Sequence, residues 1–358
     1  MKLPSLVLGE LIATVPIIQG GMGVGVSRSR LASAVANEGG IGIISGAQIG
    51  FTEPDFETNS LAANLRALRK EIRKARESSP KGIIGLNLMV AMNHYKELAL
   101  AAVEEKINLI ISGAGLPKDL PDLVKGTKTK IAPIVSSGKA AQLIAKLWDR
   151  KYNHAPDLVI VEGPEAGGHL GFSLEELNQN PRPELGQILL EVKESLAPYQ
   201  EKYNKDIPVI AAGGIFDGND IAKYVKLGAA GVQMATRFVA TDECDADIRF
   251  KEAYVKSKEK DIHFVKSPVG MPGRAIINTF SKRSEEGRIP VTKCYACLLP
   301  CDPKTTPYCI SNALIEAVKG NIENGLIFTG SNAYKIREII SVKKLMQQLV
   351  AEAEIALS

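Results

Sequence analysis

The chain has 358 residues, 45% of them hydrophobic and 23% charged, enough for one large α/β barrel with an appendage or for two ordinary domains. Aromatics are few (5%, one Trp) and the formal charge is only +4, with bases scattered among acids, so nucleic-acid binding is not expected. No apolar run is long enough for a signal peptide or a membrane span, which makes the cytoplasm the expected compartment.

Eight short apolar runs follow one another along the chain. They are "VPIIQGG" (15–21), "GIGIISG" (40–46), "GIIGLNLMV" (82–90), "INLIISGAG" (107–115), "KIAPIVSSG" (130–138), "DLVIVEG" (157–163), "IPVIAAGG" (207–214) and "AGVQMATRF" (230–238). Near-continuous apolarity, without strict alternation, predicts parallel strands buried on both faces. Amphipathic segments such as "SLAANLRALRKEIRKARE" and "GKAAQLIAKLWDRKY" lie between them, which predicts helices. Eight strands alternating with helices predict a TIM (β/α)8 barrel, with a doubly wound sheet as the alternative. Evenly spaced strands favour closure.

After the eighth run the periodicity breaks. Residues 1–262 are expected to form the barrel and 263–330 an irregular, partly helical cap. Residues 331–358 would form a final helix that can return to the barrel.

Chemistry in such barrels gathers at the C-terminal ends of the strands. Gly213 and Gly214 end the seventh strand just before a helix expected to begin near Asp217. Bare backbone there, with Thr236 after the eighth strand, suits a phosphate. An ordinary tight turn is the plainer explanation of the same glycines. "QGGMGVGVS" after the first strand offers a second bare surface, suited to a flat ring system. Phosphate at strands seven and eight with a ring over strand one is what flavin mononucleotide (FMN) would require.

The segments "PIIQGGMGVGVSRSRLASAVANEGGIGII", "EGPEAGGHLGF", "PVIAAGGIFDG" and "GAAGVQMATRFVA" resemble signature segments of the nitronate monooxygenase (2-nitropropane dioxygenase) family. They equally resemble the related FMN-dependent enoyl-acyl-carrier-protein reductases. The resemblance spans roughly residues 10–275 and implies a barrel that holds FMN non-covalently. It implies that Gly213, Gly214, Ala235 and Thr236 hold the phosphate, although the family often has glycine where Ala235 stands. Gly20, Gly21 and Met22 would line the ring system, with Asn87, Glu162 and Gln233 as polar contacts and Gly168 close by. His169 would be the catalytic residue, since an imidazole titrating near neutrality suits proton transfer. A loop histidine used for local hydrogen bonding is the alternative.

The resemblance implies oxidation of alkyl nitronates or nitroalkanes to a carbonyl compound and nitrite. NAD(P)H-dependent reduction of an enoyl thioester is a second activity that the same motifs allow, and a non-catalytic flavin-binding protein is a third. The expected partners are a small-molecule substrate and a second copy in a homodimer, with neither nucleic acid nor membrane. The chain departs from the family at Cys294, Cys297, Cys301 and Cys309, spaced C-x2-C-x3-C-x7-C. Four thiols at that spacing are candidates for a 4Fe–4S cluster or Zn, against unligated thiols in a proline-rich loop. His94, His154, His263 and Cys244 carry no motif and read as structural.

Overall fold

Each of the eight runs is buried on both faces because its branched residues alternate between the barrel interior and the surrounding helices. The computed structural model describes residues 1–358. Its barrel strands are β1 (Ile17–Gln19), β2 (Ile41–Ser45), β3 (Ile83–Met89), β4 (Leu109–Gly113), β5 (Lys130–Val135), β6 (Val159–Glu162), β7 (Val209–Ala212) and β8 (Gly231–Met234). All eight predicted runs supply one strand each. The strands are parallel, and β8 pairs with β1 through Val232–Ile17, Gln233–Ile18 and Met234–Gln19, closing the sheet. Closure excludes the doubly wound alternative.

Ile18, Ile41, Ile43, Leu109, Ile111, Leu158, Ile160 and Ile210 fill the interior. The hairpin Leu6–Leu8/Leu11–Ala13 joins that cluster through Leu6, Leu8 and Ala13. Outward residues such as Ile17, Ile44, Leu86 and Val161 instead join the core under the helices. Helix starts follow local chemistry: Ser137 caps Gly138–Tyr152, and Asp217 with Asp220 forms a capping box on Gly218–Lys226. The start predicted near Asp217 is therefore observed.

Beyond the barrel, strands Ile262–Lys266, Pro272–Ile276 and Ile327–Phe328 form an antiparallel sheet. Gly168–His169, from the loop after β6, is added to its middle strand. Val265, Phe280, Leu298, Tyr308 and Ile310 give this cap a separate small core. The final helix, Val342–Leu357, lies against Gly218–Lys226, where the Gly218 N–H donates to the Glu352 carboxylate at 2.9 Å. A Cβ on Gly218 would lie 2.3 Å from the Ala353 nitrogen, so that contact requires glycine. No helix is long and apolar enough to cross a membrane.

Helix Ser29–Asn37 packs so closely on β2 that a Cβ at Gly42 would lie 1.8 Å from the Ala32 carbonyl oxygen. Backbone cannot yield as a flexible side chain does. Gly42→Ala is expected to cost about 1–3 kcal/mol or more, measured as a lower midpoint in urea unfolding.

Candidate active site

The C-terminal ends of the strands open into a cavity of about 440 Å³, within the range of small-molecule sites. Gly20, Gly21, Met22, Asn87, Glu162, Gly168, His169, Gly213, Gly214, Gln233, Ala235 and Thr236 all line it. The sequence separated these residues by more than half the chain, and barrel closure brings them to one wall.

On the β1 side the wall is backbone. A Cβ at Gly21 would fall 2.3 Å from the Asn87 Cβ, so Asn87 approaches only because position 21 is glycine. Met22 is steadied by its N–H donating to Ser27 Oγ at 2.8 Å. Two strands away, after β7, Gly213 and Gly214 adopt φ of +94° and +81°, the region that glycine enters without strain. Ala235 caps the single turn Thr236–Val239. The Thr236 hydroxyl oxygen accepts the Gly330 N–H at 3.1 Å, which leaves its proton free to donate.

Two polar side chains stand at one level on the strands that flank β7. Register pairs place Glu162 and Gln233 on either side of Ala212. The Gln233 Oε1 is buried without a hydrogen-bond partner. Burial pushes the Glu162 carboxyl up to about 8, opposed in part by the nearby Arg274 guanidinium. Glu162 is therefore mainly protonated at neutral pH.

His169 stands above this floor. Gly168–His169 pairs with Arg274 and Gly273 of the cap sheet, and Leu170 N–H donates to the Pro272 carbonyl at 2.9 Å. The imidazole Nε2 lies 2.7 Å from Ser267 Oγ, and the ring meets Phe328 edge-on at 4.9 Å. Burial alone lowers its pKa to about 4, so the ring is neutral across the physiological range. Gly168, at φ +70°, has open space where a Cβ would be. A smaller chamber of about 40 Å³, lined mainly by apolar residues such as Leu61, Met92, Leu98 and Leu298, continues from the main cavity. The two share Val24, Ala47, Met89, Leu314 and His169.

Several contributors are invisible in local sequence. Arg274, buried in the cap strand, donates to the Ala166 carbonyl and lies 4.9 Å from the Phe264 ring centre. The run "TGSN" (329–332) closes over the Gly213–Gly214 end: Ser331 N–H donates to Glu165 O at 3.2 Å and Asn332 Nδ2 to Gly214 O at 2.6 Å. Its small and polar residues after an apolar pair mark a turn, but nothing local says where the turn lands. Among the histidines set aside, His94 lines the smaller chamber, His154 Nε2 is buried without a hydrogen-bond partner, and His263 Nε2 bonds to the Lys260 carbonyl.

The expectation of a metal centre at Cys294, Cys297, Cys301 and Cys309 is not met. No three His, Cys, Asp or Glu side chains converge in an arrangement able to hold an ion. The loop that carries these thiols is anchored on the barrel. Leu298 bridges to Met92, Asn93 N–H donates to the Cys297 carbonyl at 3.1 Å, and Leu299 N–H donates to the Ala91 carbonyl at 2.9 Å. These bonds hold Cys297 partly buried while Cys294 faces solvent. Burial raises the Cys297 thiol to about 11 and also raises Cys309. Cys244 is fully buried, and its thiol contacts the Val26 carbonyl at 3.5 Å.

The comparisons with known proteins agree with this architecture. The family model described as "Nitronate monooxygenase" matches residues 6–352. A protein named "Probable nitronate monooxygenase" from Bacillus subtilis (strain 168) is 26% identical over 95% of this chain and 96% of its own length. The structure of FabK from Thermotoga maritima is 29% identical, covers 96% of this chain and 94% of its own, and superposes with a TM-score of 0.74. A nitroalkane oxidase from Streptomyces ansochromogenes shares the fold at a TM-score of 0.72 and 22% identity, over 96% of each chain. A match over nearly the whole chain, on a closed barrel with its glycine-lined mouth, shows that the chain belongs to the nitronate monooxygenase family.

Proposed function

We propose that this oxidoreductase binds FMN in the barrel mouth and oxidises alkyl nitronates or nitroalkanes to a carbonyl compound and nitrite. One observation carries the reading: a neutral, half-buried imidazole with no charged neighbour stands over a wall of bare backbone. The cavity fits the cofactor in three respects. Gly213 and Gly214, with Ala235 and the Thr236 hydroxyl, line one end of the cavity with bare backbone and a donor, a surface suited to phosphate. Gly20, Gly21 and Met22 give a flat surface for the ring system, with Asn87 beside them. Gln233 Oε1 is an orphaned acceptor that a bound donor would satisfy.

FMN bound there would supply the electron acceptor. The protein supplies placement and proton transfer. Gly168 leaves room for substrate beside the ring, and the cap shields the site from water. His169 would take the α-proton of a nitroalkane. Protonated Glu162 presents a donor without a charge. Enoyl-thioester reduction with NAD(P)H is the second reading, favoured by the likeness to FabK and by the apolar chamber beyond His169.

Ethyl nitronate and NADH, added anaerobically to separate samples of FMN-loaded protein, distinguish the two. Bleaching of the flavin absorption by nitronate and not by NADH is the expected result. The reverse pattern would transfer the assignment to the reductase. With a nitroalkane as substrate, His169→Asn is expected to slow bleaching by about 100-fold or more, the usual scale of a lost general base.

The pH profile follows from the lowered His169 value. The base is the unprotonated ring, half of which is lost only at about pH 4. Bleaching by a nitroalkane should stay flat from pH 7 to 5.5 and fall about tenfold per unit below pH 4. Inflection near 6.5 in stopped-flow traces would contradict this.

Gly214→Val tests the cradle. At φ +81° a β-branched residue is strained, and its side chain would meet Glu165. FMN retained after gel filtration is expected to drop at least about tenfold while the far-ultraviolet circular dichroism of the barrel persists.

A further inference from the structure

The cap holds His169 in two ways, and only one of them acts on the ring. Ladder bonds to Pro272–Ile276 fix the backbone, whereas Ser267 Oγ, 2.7 Å from Nε2, fixes the imidazole. Ser267 sits in the turn between the strands Ile262–Lys266 and Pro272–Ile276 and is 8% exposed. Its carbonyl accepts the Gly270 N–H at 3.0 Å, and its Oγ accepts the Val269 N–H at 3.3 Å. The serine is thus held by its own turn, independently of the histidine.

A hydroxyl has one proton and two acceptor positions. The Val269 N–H takes one acceptor position of Ser267, and the other is open to Nε2–H. A neutral imidazole that donates from Nε2 keeps its lone pair on Nδ1, the ring nitrogen with no partner in the protein. The opposite arrangement, with the serine donating, would put the proton on Nδ1 and leave no basic nitrogen for substrate.

We propose that Ser267 is a positioning residue that holds His169 as the Nε2–H tautomer, so that Nδ1 is the base. The inference rests on the reading of His169 as the proton acceptor. In the step it serves, the nitroalkane C–H bond breaks and its proton goes to the Nδ1 lone pair. The freed electron pair becomes the C=N bond of the nitronate, and the charge passes to the nitro oxygens. Nε2–H stays bonded to Ser267 throughout, so the imidazolium forms without turning. A preformed nitronate needs no such proton transfer and should not depend on the serine.

The test uses the FMN-loaded protein labelled with 15N-histidine. With four histidines in the chain, a long-range 1H–15N spectrum resolves each ring, and His169→Asn identifies the signal of interest. The expected parent spectrum shows His169 protonated at Nε2 only. Ser267→Ala should move that signal toward a tautomer mixture and leave the other three in place, and Ser267→Thr should restore it.

In anaerobic bleaching, Ser267→Ala should slow the nitroalkane reaction by about 10- to 100-fold. Half-saturation should stay within about twofold, nitronate bleaching should be unchanged, and Ser267→Thr should recover the rate. A parent His169 protonated at Nδ1 would overturn the proposal, as would equal loss with both substrates or no loss with either. If His169→Asn itself leaves nitroalkane bleaching intact, the histidine's role as base falls, and the spectrum still decides its tautomer.

Discussion

Two ladder pairs, Gly273 with His169 and Arg274 with Gly168, join the loop after β6 to a strand far downstream. The site depends on this contact. The loop is rich in glycine and would otherwise be free to take many conformations. Pairing to the cap sheet sets the height of His169 over the mouth, and the buried Arg274 beside it donates to Ala166 in the same loop. The cap is in turn anchored on the barrel by Leu298–Met92 and by the run 329–332. Barrel and cap therefore share the walls of one cavity.

The low polarity of that cavity acts on both of its principal titratable groups. Burial raises Glu162 and lowers His169, opposite movements with the same outcome: each group loses its charge. At neutral pH this part of the wall presents donors and acceptors but little net charge. An acid that stays protonated can donate, and a base that stays unprotonated can accept. Both are in the form that proton transfer to or from a bound molecule requires.

The barrel was largely legible in the sequence. A strand buried on both faces must be apolar almost throughout, so β2 ("IGIIS") and β6 ("VIVE") announce themselves. The glycines at 213 and 214 were legible for a related reason, because a positive φ restricts the residues that can stand there. What stayed hidden is non-local. Nothing in "SPVGMPGRAII" shows that Ser267 meets His169 or that Pro272–Ile276 accepts a third strand, because pairing of short strands is decided by the assembled fold. The placement of the four cysteine thiols is non-local as well. Spacing fixes how far apart thiols lie along the chain, whereas the pairing of 297–299 with 91–93 anchors the loop that carries them.

The shared wall between the two chambers changes what a substitution at the histidine means. His169 borders both, so its imidazole is a partition as well as the proposed base. Truncation to alanine would remove the partition and merge the smaller space with the larger. Any lost rate would then mix altered chemistry with a reshaped volume in which a ligand can slide away from its reacting position. Asparagine keeps much of the bulk and a polar edge while removing the basic nitrogen. The shape of the site thus selects the substitution that isolates its chemistry.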